Sequence, residues 1–141
     1  VIEYNVRFGD PECQTLLRNL KTDLLTIINH NIADKLSDIK IKNGNQSVVC
    51  VVLASQGYPG KFKINSTIKN LSNAKLIQGV EIFHAGTSIK NNSIVSSGGR
   101  VLSITSKAKT IKLARIQAYK AIKKLNWSGG FFRKDIGLKN F

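Results

Sequence analysis

The sequence predicts an α+β fold: helical segments near the start, then a small domain of mainly antiparallel sheet covered by one long helix. Three observations predict it. Leucines and isoleucines keep helical spacing between Leu16 and Ile28. Beyond residue 45 the texture changes to short apolar runs separated by glycines. Near the end, Ala108, Ile111, Ala114, Ala118, Ala121, Ile122 and Leu125 form one helical stripe.

Taken in order, the first eight residues alternate. Ile2, Tyr4, Val6 and Phe8 fall on one face of an extended strand, and Glu3, Asn5 and Arg7 on the other. Residues two apart on a strand have Cα atoms roughly 6.7 Å apart. Neighbouring oxygen ligands of an octahedral Mg²⁺ lie roughly 3 Å apart, so Glu3 and Asn5 need only lean together to share one ion. Arg7 would face any anion that such a metal holds. On alternation alone, an ordinary half-buried strand with a solvated polar face accounts for the same pattern and is the simpler reading. Asp10-Pro11 then offers a helix start, an Asp cap followed by Pro at the first helical position. Thr22-Asp23 can cap again, so one bent helix and two helices in series both fit. The pattern fades between Ile32 and Leu36, and Asn43-Gly44-Asn45 is a strong turn signal. That turn divides the chain into residues 1–45 and 46–141.

In the second part, Val48 to Leu53 is an unbroken apolar run within a strand expected over 47–54, buried on both faces. It ends in the rigid loop Ser55-Gln56-Gly57-Tyr58-Pro59-Gly60. Gly79 to Ala85 reads as another strand, entering the loop His84-Ala85-Gly86-Thr87. Ile94 to Thr105 reads as a hairpin turning at Gly98-Gly99. Ser106 is placed to cap a long helix over about 107–125, roughly 28 Å at ~1.5 Å per residue, enough to cover a small sheet. The aromatic and glycine-rich tail, 127–137, is expected to dock back on the core. No internal repeat is present.

The 141 residues suit one ordinary domain or parts of two, and 42% apolar with 21% charged is a globular composition. The chain opens at Val1 directly into a strand and has no methionine, so a piece of a longer protein is expected. The net charge of +14 calls for an anionic partner, either nucleic acid or phosphorylated small molecules, because the lysines are spread along the chain. Cys13 and Cys50 are isolated and read as structural thiols. No apolar run reaches transmembrane length, no signal peptide is evident, and a cytoplasmic location is expected. Sequons at Asn45, Asn65, Asn70, Asn91 and Asn126 are expected to be incidental in an Asn- and Ser-rich chain.

Several motifs admit two readings each. Gly57-Tyr58-Pro59-Gly60-Lys61 lacks the spacing and following helix of a phosphate loop, leaving a rigid turn or a substrate-edge loop. Ser96-Ser97-Gly98-Gly99-Arg100 offers backbone N–H groups beside a guanidinium, an anion site in principle or a plain hairpin tip. His84, at a strand end, is a ligand contact or a hydrogen-bonded structural residue. His30 sits near a helix end and reads as solvated. Lys107, Lys109, Lys112, Lys120, Lys123 and Lys124 give the long helix a basic side. A solvated face explains it, and a basic nucleic-acid-binding module is the competing function, weakened because no stacking aromatics interleave.

Five stretches taken together are more specific: Glu3 to Glu12, Ala54 to Gly60, Phe83 to Thr87, Gly98 to Leu102 and Phe132 to Gly137. In this order they resemble the carboxy-terminal portion of the phosphoribosylamine–glycine ligase (glycinamide ribonucleotide synthetase) family of the ATP-grasp superfamily. The resemblance implies that residues 1–45 are the end of an ATP-grasp domain, a strand plus helices, and that 46–141 are the ligase's small C-terminal domain. It implies an enzyme that joins glycine to 5-phosphoribosylamine, splitting ATP to ADP and phosphate through a glycyl phosphate, in de novo purine synthesis. Glu3 and Asn5 would hold Mg²⁺ or Mn²⁺, and Arg7 would sit near the transferred phosphate or the substrate carboxylate as a catalytic group. Arg100, Gly98 and Gly99 would help hold the phosphoribosyl group, with His84 beside them as a further contact. The partners implied are glycine, 5-phosphoribosylamine, ATP and the upstream part of the same enzyme, without nucleic acid or membrane. The piece alone is expected to be inactive. Gln56 departs from the pattern, standing where the family more often has a small residue such as Gly.

Overall fold

A computed structural model describes residues 2, 4 and 6–138. In chain order the elements are α1 (Glu12–Asn19), α2 (Leu24–Ile32), a 3₁₀ turn (Leu36–Asp38), β1 (Ser47–Ser55), α3 (Leu71–Lys75), β2 (Val80–His84), β3 (Thr87–Lys90), β4 (Ser93–Ser96), β5 (Arg100–Ala108), α4 (Ile111–Lys124) and β6 (Gly130–Phe132). The alternating start does not form a strand where it is described. Residues 2, 4 and 6–8 lie in no strand, and Ile2, Tyr4, Val6 and Phe8 are 103, 83, 96 and 50% exposed. No strand among the described residues pairs with this stretch, so its alternation has no sheet against which to bury an apolar face. Glu3 and Asn5 lie outside the described residues.

The leucine-periodic region forms two helices in series. Asp23 caps the second: its carboxylate accepts from the Thr26 N–H at 2.8 Å and from the Thr26 hydroxyl at 3.0 Å. Between the helices the Lys21 N–H donates to the Lys42 carbonyl at 2.9 Å, which draws the backbone out of helical geometry. Asp10 does not cap α1. Pro11 holds the cap position without a side-chain bond, and the Glu12 carboxylate reaches back to accept from the Gly9 N–H at 3.1 Å. An anion there faces the positive end of the helix.

The main sheet has the order β2-β5-β1-β6 and every neighbouring pair is antiparallel, as the sequence predicts for the small domain. β1 and β5 pair from Ser47↔Ala108 to Leu53↔Leu102, with a bulge between Leu53 and Ala54. Val49, Val51 and Leu53 are buried in the core cluster with the inner face of α4. The neighbouring Val48, Cys50 and Val52 are half-buried, and α1 packs on β1 with Thr15, Leu16 and Asn19 beside Val48. A helix on each side explains why the run is apolar without alternation.

Two expectations about the second half are corrected. The hairpin is β3–β4, not a unit turning at Gly98-Gly99: β4 pairs with β3 in a separate two-stranded sheet. Its two-residue turn is Asn91-Asn92, with φ of 48° and 55°. Asn tolerates this left-handed conformation, and a hairpin turn of that hand matches strand twist. Gly98-Gly99 instead links the two sheets. The long helix begins later than expected, because β5 runs on through Ser106 to Ala108. Ser106 is buried and donates to Gln117 Oε1 at 3.0 Å, and the Thr105 hydroxyl donates to the Glu81 carbonyl at 3.3 Å. Hydroxyls satisfied in this way are tolerated inside a sheet. Thr110 is the actual cap, accepting from the Leu113 N–H at 3.2 Å.

Helix α4 is therefore about 21 Å long at ~1.5 Å per residue over its 14 residues. Ala114, Ala118 and Ala121 are fully buried on its inner line, with Ile122 beside them. Ala108 belongs to β5, and Ile111 is exposed at the first turn. The tail docks as expected. β6 pairs with Leu53–Ser55 of β1, the Arg115 guanidinium donates to the carbonyls of Ile136 (3.0 Å) and Lys134 (2.8 Å), and the Tyr119 hydroxyl donates to that of Arg133 (2.7 Å). Among the described residues no helix is long and apolar enough to cross a membrane.

Because a methyl group fills the helix–sheet gap at Ala118, Ala118→Leu should lower unfolding stability by about 1–3 kcal/mol in urea titration, through overpacking.

Candidate functional site

Antiparallel pairing brings four chain segments to one end of the main sheet. β1 ends there at Ser55, β2 at His84, while β5 begins at Arg100 and β6 at Gly130. The loops that leave these ends are fixed by backbone bonds. The Ser55 N–H donates to the Gly99 carbonyl and its buried hydroxyl to the Gly98 carbonyl, both at 2.8 Å. The Ala85 N–H donates to Val101 at 3.0 Å, Gly86 to Arg100 at 2.9 Å, and Ser97 to Gly86 at 2.8 Å. A Cβ on Gly86 would stand 2.7 Å from the Arg100 carbonyl oxygen and 2.8 Å from the Gly98 Cα, and one on Gly99 would run into the Tyr58 ring. The two loops and the 55–60 turn thus pack at backbone distance, which only glycine permits.

His84, Gly98, Gly99 and Arg100 are accordingly neighbours. His84 is exposed, with Nδ1 3.0 Å from the Thr87 hydroxyl. The N–H groups of Gly98 and Gly99 have no partner among the described residues. Arg100 reaches out of this cluster to the start of the chain. Its Nη1 donates to the Asp10 carbonyl at 3.0 Å and its Nη2 to the Asp10 carboxylate at 2.8 Å, both residues part-exposed. Two contacts on one partner fix the guanidinium plane, although an exposed ion pair of this kind stabilises by no more than about 1 kcal/mol. Among the described residues three of the five guanidinium donors have no partner and are open to another anion. Asp10 escaped the sequence reading because Asp-Pro fits a helix cap so well.

The other candidates are not gathered here. Arg7 is exposed and donates locally to the Phe8 carbonyl at 2.8 Å. Among the described residues no group of three or more His, Cys, Asp or Glu could hold a metal. His30 lies in the last turn of α2, with Nδ1 2.9 Å from the Thr26 carbonyl. The basic side expected on the long helix is divided. Lys107 lies in β5 and donates to the Arg18 carbonyl at 3.0 Å, Lys109 precedes the helix, and Lys112, Lys120, Lys123 and Lys124 are on it.

A family model described as "Phosphoribosylglycinamide synthetase, C domain" matches residues 48–139. The chain belongs to this family. A phosphoribosylamine–glycine ligase of Brucella melitensis is 45% identical over 137 residues, which are 97% of this chain and 32% of the relative. The chloroplastic ligase of Arabidopsis thaliana is 46% identical over 97% of this chain and 26% of its own length. In Gallus gallus the relative is a trifunctional purine biosynthetic protein, 43% identical over 99% of this chain and 14% of its length. The crystal structure of the Thermotoga maritima ligase superposes with a TM-score of 0.71 at 30% identity, covering 96% of this chain and 32% of that one. The chain thus spans about a third or less of the length of these relatives. They are ligases or carry purine biosynthesis in their names, which gives the nucleic-acid reading no support.

Cys50 lies on the half-buried side of β1, and burial pushes its thiol up to about 11, opposed by a hydrogen bond with Ser103 that lowers it and aided by the Asp10 charge. The neutral thiol is favoured in the folded chain, so the resulting stability is full below the unfolded value near 9 and is lost as pH rises through about 11. Urea midpoints should therefore fall between pH 9 and 11, and Cys50→Ala should flatten that fall; an equal slope in both proteins would refute the assignment.

Proposed function

We propose that the chain is the carboxy-terminal part of a phosphoribosylamine–glycine ligase, which forms glycinamide ribonucleotide from glycine, 5-phosphoribosylamine and ATP in the cytoplasm. The observation that carries this reading is the spatial one. The stretches 54–60, 83–87 and 98–102 meet at one end of the sheet, and Arg100 holds Asp10 of the stretch 3–12 against it. Motifs far apart in sequence that converge on one edge are the arrangement expected of a shared site. In this reading residues 1–45 close the ATP-grasp domain, 46–141 form the C-terminal domain, and the upstream part of the same chain supplies the remaining walls.

Arg100, with the free N–H groups of Gly98 and Gly99 and with His84 at the rim, would grip the phosphoribosyl group. Donors without acceptors, held by a rigid sheet end, suit a phosphate. Arg7 would face the transferred phosphate or the glycine carboxylate. Glu3 and Asn5 supply a carboxylate and an amide oxygen, a hard donor pair that fits Mg²⁺ or Mn²⁺. Such an ion, when bound, offsets the charge that develops on ATP phosphates during phosphoryl transfer.

In the full-length enzyme, Glu3→Gln or Asn5→Ala should abolish metal-dependent product formation, and full activity in either variant would remove the metal role. Arg100→Ala should raise KM for phosphoribosylamine at least tenfold while KM for ATP changes little, since one charge-assisted contact contributes about 1.5–3 kcal/mol. An unchanged KM for phosphoribosylamine would take Arg100 out of the site.

A further inference from the structure

Beside the loop cluster, and lined in part by Gln56, lies a cleft of about 480 Å³ that none of His84, Gly98, Gly99 and Arg100 lines. Its size falls within the range of small-molecule sites, about 300–1,000 Å³. Lys61 and Lys63, two residues apart in sequence, line it together with Ser66, Ser128 and Gly129. Neither ammonium group has an ion-pair or hydrogen-bond partner among the described residues, and no carboxylate lines the cleft. The hydroxyls of Ser66 and Ser128 are likewise without partners among those residues.

The walls are fixed to the sheets. The Gln56 N–H donates to the Gly129 carbonyl at 2.9 Å, tying one wall to the start of β6. Asn65, at φ 63°, turns the chain from the lysines into Ser66, whose N–H donates to the Ser96 hydroxyl at 3.1 Å. Next to Gly129 the indole Nε1 of Trp127 is buried without a partner among the described residues. A Cβ on Gly129 would come within 3.1 Å of that nitrogen and overlap the Ser66 hydroxyl. Glycine at 129 therefore leaves the Ser66 hydroxyl room at the cleft that Lys61 and Lys63 also line. Two ammonium groups beside hydroxyl and amide donors, with no carboxylate in the lining, suit an anion.

We propose that this cleft binds a phosphate monoester, with the lysines neutralising its charge and Ser66 and Ser128 orienting its oxygens. The inference stands on the cleft itself and does not need the ligase reading. The monoester has two possible sources: the 5-phosphate of the phosphoribosyl substrate, or a separate phosphorylated ligand.

The test uses the full-length enzyme with ribose 5-phosphate and ribose as probes, by calorimetry at constant ionic strength. Ribose 5-phosphate should bind and ribose should not. The pair Lys61→Gln/Lys63→Gln should weaken that binding at least tenfold, and Gly129→Ala should weaken it as well. The control pair Lys120→Gln/Lys123→Gln should leave it within twofold. A raised KM for phosphoribosylamine in the Lys61/Lys63 variant assigns the cleft to the substrate phosphate, and an unchanged KM with lost ribose 5-phosphate binding assigns it to a separate ligand. The proposal is overturned if ribose 5-phosphate does not bind, or if both lysine pairs weaken it equally. It is also overturned if only Arg100→Ala removes binding, a result that leaves the Arg100 assignment intact. Loss of the Arg100 effect with retention of the Lys61/Lys63 effect does the reverse.

Discussion

The pairing of β1 with β5 is the constraint on which the rest depends. One register sets both what is buried and what is brought together. It turns Val49, Val51 and Leu53 into the core beneath α4, and it aligns the end of β1 with the start of β5. A slip of one residue would turn those side chains to the opposite face and carry Ser55 away from Gly98 and Gly99. The core and the loop cluster are consequences of the same ladder. A chain that loses one loses the other.

Much of this was accessible from local chemistry. The β1 run, the strand before His84, the Asp23 cap and the docking tail each follow from a short-range signal that tertiary structure does not oppose. The misplacements share a cause: a local signal that competed with a partner farther along the chain. Ser106 has the chemistry of a cap, but its hydroxyl finds Gln117 and stays in the strand. Gly98-Gly99 has the chemistry of a hairpin tip, but Ser55 takes both carbonyls, and β4 has already paired through the Asn91-Asn92 turn. The alternating start has the pattern of a strand, but no described strand lies beside it.

The same holds at the sheet edge. That His84, Gly98, Gly99 and Arg100 lie together could be anticipated only through the family resemblance, because no spacing rule relates residues of different strands. Asp10 illustrates the limit. Its 90-residue separation from Arg100 carries no periodic trace, and a satisfactory local role was on offer. In sequence Lys61 only closes a failed phosphate loop. Its place beside Lys63, Ser66 and Gly129 in one cleft is a juxtaposition that needs the sheet to be built first.

The alanine line of α4 has a broader consequence. Methyl groups bury little area, so the helix is held less by transfer from water than by the many close contacts that its nearness to the sheet allows. The thickness of the domain is therefore set by three methyls, and those positions have almost no freedom to drift. The outer positions have a great deal, and four of them are lysine. On this helix the positive charge has accumulated where the packing does not register it, so the lysines there are a poor guide to its architecture and the small residues are a good one.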